Sequence, residues 1–161
     1  MAMNLIVGQS GGPTAVINSS LAGVYETAKN LGVNKVYGML YGIEGLLQEK
    51  MVDLDDMLGD IMSIELLKRT PSSYLGSCRC KLPTPEQDES VYDTLFRLFD
   101  KYEIGALLYI GGNDSMDTIA KLSAYGARIR SKVRFIGVPK TIHNDLILTD
   151  HTPGYGSAAK Y

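Results

Sequence analysis

Cysteine is scarce in this sequence, and its two cysteines, Cys78 and Cys80, stand one residue apart. That number and spacing exclude a disulfide framework and a four-ligand zinc site, leaving two free thiols as the expectation. Excess charge is also missing. The 16 lysines and arginines nearly balance the 18 aspartates and glutamates, and the formal net charge of -2 gives no electrostatic footprint for nucleic acid. No apolar run approaches the roughly 20 residues of a membrane span. Met1-Ala2-Met3-Asn4 enters an apolar stretch without the basic segment and long apolar core of a secretory signal, so a cytoplasmic protein is expected. Internal repeats and low-complexity segments are absent as well. What is present, 161 residues that are 45% hydrophobic and 21% charged, suits one folded domain with its own core.

Three apolar runs each end in a dense polar or glycine-rich stretch. Leu5-Ile6-Val7 runs into Gly8-Gln9-Ser10-Gly11-Gly12-Pro13, Ala106 to Ile110 into Gly111-Gly112-Asn113-Asp114-Ser115, and Val133 to Val138 into Pro139-Lys140-Thr141-Ile142-His143-Asn144-Asp145. Short apolar runs of this kind are buried strands, and open α/β sheets bind ligands at the carboxyl ends of their strands. The three junctions are therefore expected to face one crevice. Thr14 to Leu31 has helical spacing through Val16, Ile17, Ala22, Val24 and Leu31, and Pro13 fits near its first position because a proline there loses no hydrogen bond. Glycines ahead of a helix N-terminus allow close backbone approach to an anion, phosphate above all, although Ser10 to Pro13 is also readable as a plain tight turn.

Lys35 to Met39 reads as the next strand, followed by a loop at Tyr41 to Gly45; strand, helix, strand in that order implies a parallel crossover and a doubly wound, mostly parallel sheet with helices on both faces. Between 48 and 70, Asp53, Asp55, Asp56 and Asp60 alternate with Leu54, Met57, Leu58 and Ile61, the pattern of a surface segment with a solvated acidic face. Arg69 to Pro85 is a long loop of turn formers, a length that marks functional or disordered segments, and Arg79 in it could fork onto phosphate oxygens. Helical spacing returns from Glu86 to Tyr102 and from Met116 to Tyr125, with Asn113 or Asp114 expected as a helix cap. Asp150 to Ser157 reads as a turn and the start of a last helix.

Four of these stretches, taken together and in order, resemble the 6-phosphofructokinase family. They are Ser-Gly-Gly at Ser10 to Gly12, Leu-Gly-Ser-x-Arg at Leu75 to Arg79, Ile-Gly-Gly-x-x-Ser at Ile110 to Ser115, and Pro-x-Thr-Ile-x-Asn-Asp at Pro139 to Asp145. The resemblance covers the amino-terminal half of that family only, so residues 1–161 are expected to be the donor-binding half, truncated at the carboxyl end and inactive alone. It implies phosphoryl transfer to the 1-hydroxyl of fructose 6-phosphate, a step of glycolysis, with Mg²⁺ as cofactor and a homo-oligomer at full length. Gly11, Gly12, Arg79, Gly112, Asp114 and Ser115 would meet the donor phosphates, while Lys140 stabilises charge in transit. Thr141 and His143 would act in catalysis and, with Asp145, on the sugar substrate; Asn113 and Asp145 would hold the metal. Members that use ATP have glycine where this chain has Asp114 and Lys140, which implies the diphosphate-dependent branch.

Two positions depart from the family pattern. His143 replaces the aspartate that serves as general base, and Asn113 replaces a metal-binding aspartate. Imidazole can accept a proton but brings no negative charge, and an amide oxygen ligates Mg²⁺ without charge. Alternatives therefore remain open: a phosphate- or nucleotide-binding regulatory subunit with disabled catalysis, an ATP-dependent 6-phosphofructokinase, or, against the Pro-x-Thr-Ile motif, a kinase of the NAD kinase group.

Overall fold

The computed structural model describes residues 3–141 and 143–160, the side chains of Ser157 and Ala158 excepted. Its centre is a five-stranded sheet of β1 (Asn4–Gln9), β2 (Val36–Met39), β3 (Met51–Asp53), β4 (Ile104–Gly111) and β5 (Arg134–Pro139), in the spatial order β3-β2-β1-β4-β5. β1 pairs in parallel with β2 and β4, and β4 with β5, while β3 closes one edge antiparallel to β2. The helices are α1 (Ile17–Asn30), α2 (Gly42–Leu47), α3 (Leu54–Leu58), α4 (Ile61–Arg69), α5 (Glu89–Lys101), α6 (Asn113–Arg128) and α7 (Tyr155–Lys160). The expected α/β, doubly wound, mostly parallel architecture is the one observed.

Period-two alternation sends neighbouring strand residues into opposite cores. Ile6, Met39, Leu107 and Tyr109 join one apolar cluster with residues of α2, α5 and α6; Val7, Val36 and Ile110 join another with residues of α1 and α3 and Leu67 of α4. Both faces of β1 and β4 are thereby covered, which is why these strands read as unbroken apolar runs.

The strand order fixes where a ligand can sit. β1 is followed by α1 on one face and β4 by α6 on the other, so the chain leaves the carboxyl ends of these adjacent strands in opposite directions. That divergence opens a crevice between them, the switch point at which such sheets bind ligands.

Several local expectations require correction. α1 starts at Ile17, not Thr14, with Val16 as a cap that makes no side-chain bond, so Pro13 lies outside the first turn. α6 runs from Asn113 to Arg128 with Gly112 as its cap, so neither Asn113 nor Asp114 is spent as the capping residue. The loop expected at Tyr41 to Gly45 contains α2, entered through Tyr41 in the left-handed region at φ 59°. The acidic stretch lies at the surface as expected, with Asp56 and Asp60 exposed, but its carboxylates also have structural partners: Asp53 and Asp60 accept from the N–H groups of Asp55 and Ser63 as helix caps, and Asp53 and Asp55 pair with Lys35 and Lys29. Helix propensity and apolar spacing do not distinguish a capping aspartate from a solvated one.

Candidate active site

A cavity of about 550 Å³ occupies the crevice at the carboxyl ends of β1, β4 and β5. Its walls are Ser10, Gly11, Gly12, Cys78, Arg79, Cys80, Gly112, Asn113, Asp114, Ser115, Lys140, Thr141, His143 and Asp145. Every site residue expected from the sequence lines this one cavity. Cys78 and Cys80 line it too. Sequence reasoning treated them only as free thiols; both are free, and burial pushes the Cys80 thiol up from its ordinary range, away from reactive thiolate.

Gly11 and Lys140 meet across the floor. Gly11 has φ +78°, and a β-carbon there would stand 3.3 Å from Lys140 Nζ, so the position is closed to other residues by conformation and crowded by the lysine. Lys140 is placed by its own backbone N–H, which donates to Gly111 O at 2.9 Å and extends the β4–β5 ladder by one residue. Burial holds its ammonium below the usual lysine pKa. Among the described residues neither Lys140 nor Arg79 has a carboxylate within ion-pairing distance. Two cations without carboxylate partners in a glycine-lined crevice give it a positive lining.

The sign of the Lys140 shift gives a prediction. Burial that lowers the folded-state pKa of a lysine opposes folding as long as the ammonium is charged in the folded state. That penalty fades only as pH rises past the folded value toward the ordinary one. Lys140→Met is therefore expected to melt at the same or higher temperature than the unsubstituted protein at pH 7, while losing anion affinity; a clear fall in melting temperature would count against an unpaired, desolvated ammonium.

The α6 N-terminus forms the second wall. The N–H groups of Ser115 and Met116 are already taken by Gly112 O at 3.0 Å each, and Ser115 is 2% exposed. The Asp114 carboxylate stands at the cavity mouth, 3.7 Å from Lys81. On the third wall Thr141 donates to Asp145 and accepts from the backbone N–H of His143 at 3.1 Å, which folds this segment into a tight hydroxyl-centred turn. The Thr141 hydroxyl, helped by Asn113 and the His143 ring, keeps the Asp145 carboxyl below its ordinary pKa and so ionised at neutral pH. Asn144, in the left-handed region, uses its amide to bind Asp150 O and Thr152 N, so it braces the turn from behind.

Arg79 reaches the cavity from the long loop, which is ordered by contacts absent from the sequence pattern. Ser10 donates to Cys78 O at 3.3 Å, Gly11 N to the same oxygen at 3.3 Å, and Ser77 Oγ to Gly11 O at 2.5 Å. Leu75, Cys78 and Leu82 are buried, so this stretch is neither disordered nor a loose flap.

The model of the family described as phosphofructokinase matches residues 4–161. The chain is 42% identical over 158 residues to a pyrophosphate–fructose 6-phosphate 1-phosphotransferase of Rhodospirillum rubrum and 44% identical over 158 residues to one of Xanthomonas campestris, covering 98% of this chain and 37% of each relative. The crystal structure of a pyrophosphate-dependent phosphofructokinase from Nitrosospira multiformis superposes with a TM-score of 0.89 at 40% identity, covering 100% of this chain and 39% of that one. The chain thus spans well under half the length of the relatives it matches. With a family match over nearly its whole length and a cavity built from the four motifs at the switch point of the sheet, this chain belongs to the phosphofructokinase family.

Proposed function

We propose that the cavity binds diphosphate as phosphoryl donor, and that a protein containing this chain transfers a phosphoryl group from it to the 1-hydroxyl of fructose 6-phosphate. The observation that carries this is the pair of unpartnered cations, Lys140 and Arg79, facing glycine backbone in a cavity whose mouth holds the Asp114 carboxylate. A short, highly charged donor fits between the cations. A nucleoside triphosphate would have to place further negative charge against Asp114. The names of the relatives support the same donor.

Phosphoryl transfer requires alignment and neutralisation of charge more than covalent help. Gly11, Gly12, Gly112 and Ser115 bound the donor on its backbone side and Arg79 clamps it, while Lys140 neutralises charge on the moving group. Thr141, His143 and Asp145 face the acceptor hydroxyl, and His143 stands where the family pattern has the carboxylate that takes its proton. Among the described residues no group of three metal-ligating side chains exists, but Asn113 and the ionised Asp145 fit Mg²⁺, which takes one or two protein oxygens and completes its shell with phosphate and water. Bound there it would offset the negative charge of the donor phosphates. Assembly into a homo-oligomer at full length and a cytoplasmic setting follow from the same family reading. No helix among the described residues is long and apolar enough to cross a membrane.

The test is a chimera in which this chain replaces the matching segment of the Rhodospirillum rubrum relative. It is expected to phosphorylate fructose 6-phosphate with diphosphate in preference to ATP, whereas the 161-residue chain alone should show no turnover. Preference for ATP in the chimera, or no turnover with diphosphate, would contradict the proposal; turnover by the chain alone would contradict the expectation that the acceptor site lies outside it.

A further inference from the structure

Behind the cavity lies a polar pair in an otherwise apolar setting. Gln9, the last residue of β1, is 0% exposed, and Asn18, in the first turn of α1, is 1% exposed. Gln9 Nε2 donates to Asn18 Oδ1 at 2.9 Å and to Ile17 O at 3.2 Å; Gln9 Oε1 accepts from Leu75 N at 2.8 Å and lies 3.0 Å from Ser73 Oγ. Asn18 Oδ1 also accepts from Tyr74 N at 2.8 Å, and Asn18 Nδ2 donates to Thr70 O at 2.8 Å. The orientation of both amides is fixed by main-chain partners, since backbone N–H groups face the two oxygens and backbone carbonyls face the two nitrogens.

Buried carboxamides so fully satisfied specify geometry, because losing either leaves buried polar groups without partners. All of their contacts outside β1 and α1 fall on Thr70 to Leu75, immediately before the run that carries Arg79 into the cavity. Downstream of them the loop is laced to Ser10 and Gly11 by its carbonyl and serine bonds. We infer that Gln9 and Asn18 are positioning residues for the donor clamp: they set the register of the loop so that Arg79 lines the same cavity as Lys140. They touch no ligand themselves. This rests on the donor reading above, in which Arg79 binds phosphate.

A double-mutant cycle tests it, with inorganic diphosphate titrated calorimetrically into the chain and thermal melting recorded for each variant. Gln9→Met keeps the length of the side chain and removes its hydrogen bonds. It is expected to weaken diphosphate binding roughly 10-fold in the presence of Arg79, and by less than about 2-fold when Arg79→Ala is already present. A purely structural role would lower the melting temperature and leave the two backgrounds equally affected, which would overturn the positioning role. Should Gln9→Met fail to fold, Asn18→Ala, which frees Tyr74 N and Thr70 O and leaves Gln9 Nε2 the Ile17 carbonyl alone, is measured in the same cycle and must show the same dependence on Arg79. Absence of diphosphate binding by the unsubstituted chain would overturn the donor reading itself. Binding that Arg79→Ala weakens but Gln9→Met and Asn18→Ala leave unchanged overturns the positioning role alone.

Discussion

Replacing His143 by aspartate in the chimera is expected to raise the turnover number roughly 10²-fold or more, the lower range of what a well-matched general base contributes. The structure makes this a test of chemistry and not of folding. His143 is exposed at the cavity, and the bond its residue makes to Thr141 comes from the backbone N–H, which any side chain retains. A carboxylate there would add the negative charge that imidazole lacks beside the acceptor hydroxyl. The Michaelis constant for diphosphate should change little, because the donor contacts proposed above run through Gly11, Arg79 and Lys140, which line the cavity apart from residue 143. His143→Gln separates the two roles left open by the sequence. If imidazole is the working base, the glutamine variant falls well below the histidine protein; if the site lacks an effective base, the two are alike. Both forms are compared at saturating Mg²⁺, so that weak metal binding limits neither rate. A histidine form that equals the aspartate form would establish imidazole as an alternative catalytic solution.

The donor preference should invert when both Asp114 and Lys140 become glycine. In the proposed site Lys140 would supply a charge-assisted contact of roughly 1.5–3 kcal/mol to diphosphate, and Asp114 would oppose the additional phosphate of a nucleotide. Removing both is expected to shift the ratio of kcat/KM for ATP over diphosphate by roughly 10²-fold or more toward ATP. The two side chains stand on different walls of the cavity, Asp114 on α6 and Lys140 after β5, and Asp114 pairs with Lys81 and not with Lys140. The single substitutions should therefore combine nearly additively. An unchanged ratio in the double variant would place donor choice elsewhere in the protein.

The parallel sheet was legible because its central strands are buried on both faces, so Leu5 to Val7 and Ala106 to Ile110 stand out as apolar runs ended by glycine. The cavity followed from the same pattern, since polar residues after such runs fall at the strand ends. What escaped was set by long-range contact. Gln9 looks like part of a turn, and only the fold shows that its amide meets residues 66 positions away at Leu75. α2 was hidden because Gly42 and Gly45 argue against a helix, yet Gly42 opens α2 at φ +60°, where glycine is favoured and a β-carbon would collide with Tyr109 and Cys78. The antiparallel β3 is three residues long, too short for alternation to register.

The donor assignment is tested most directly by titrating Mg²⁺-diphosphate and Mg²⁺-ATP separately into the chain and into its Arg79→Ala and Lys140→Met variants. The predicted result is tighter binding of diphosphate than of ATP, weakened roughly 10-fold or more by each substitution. Tighter binding of ATP, or diphosphate affinity indifferent to both cations, would contradict it.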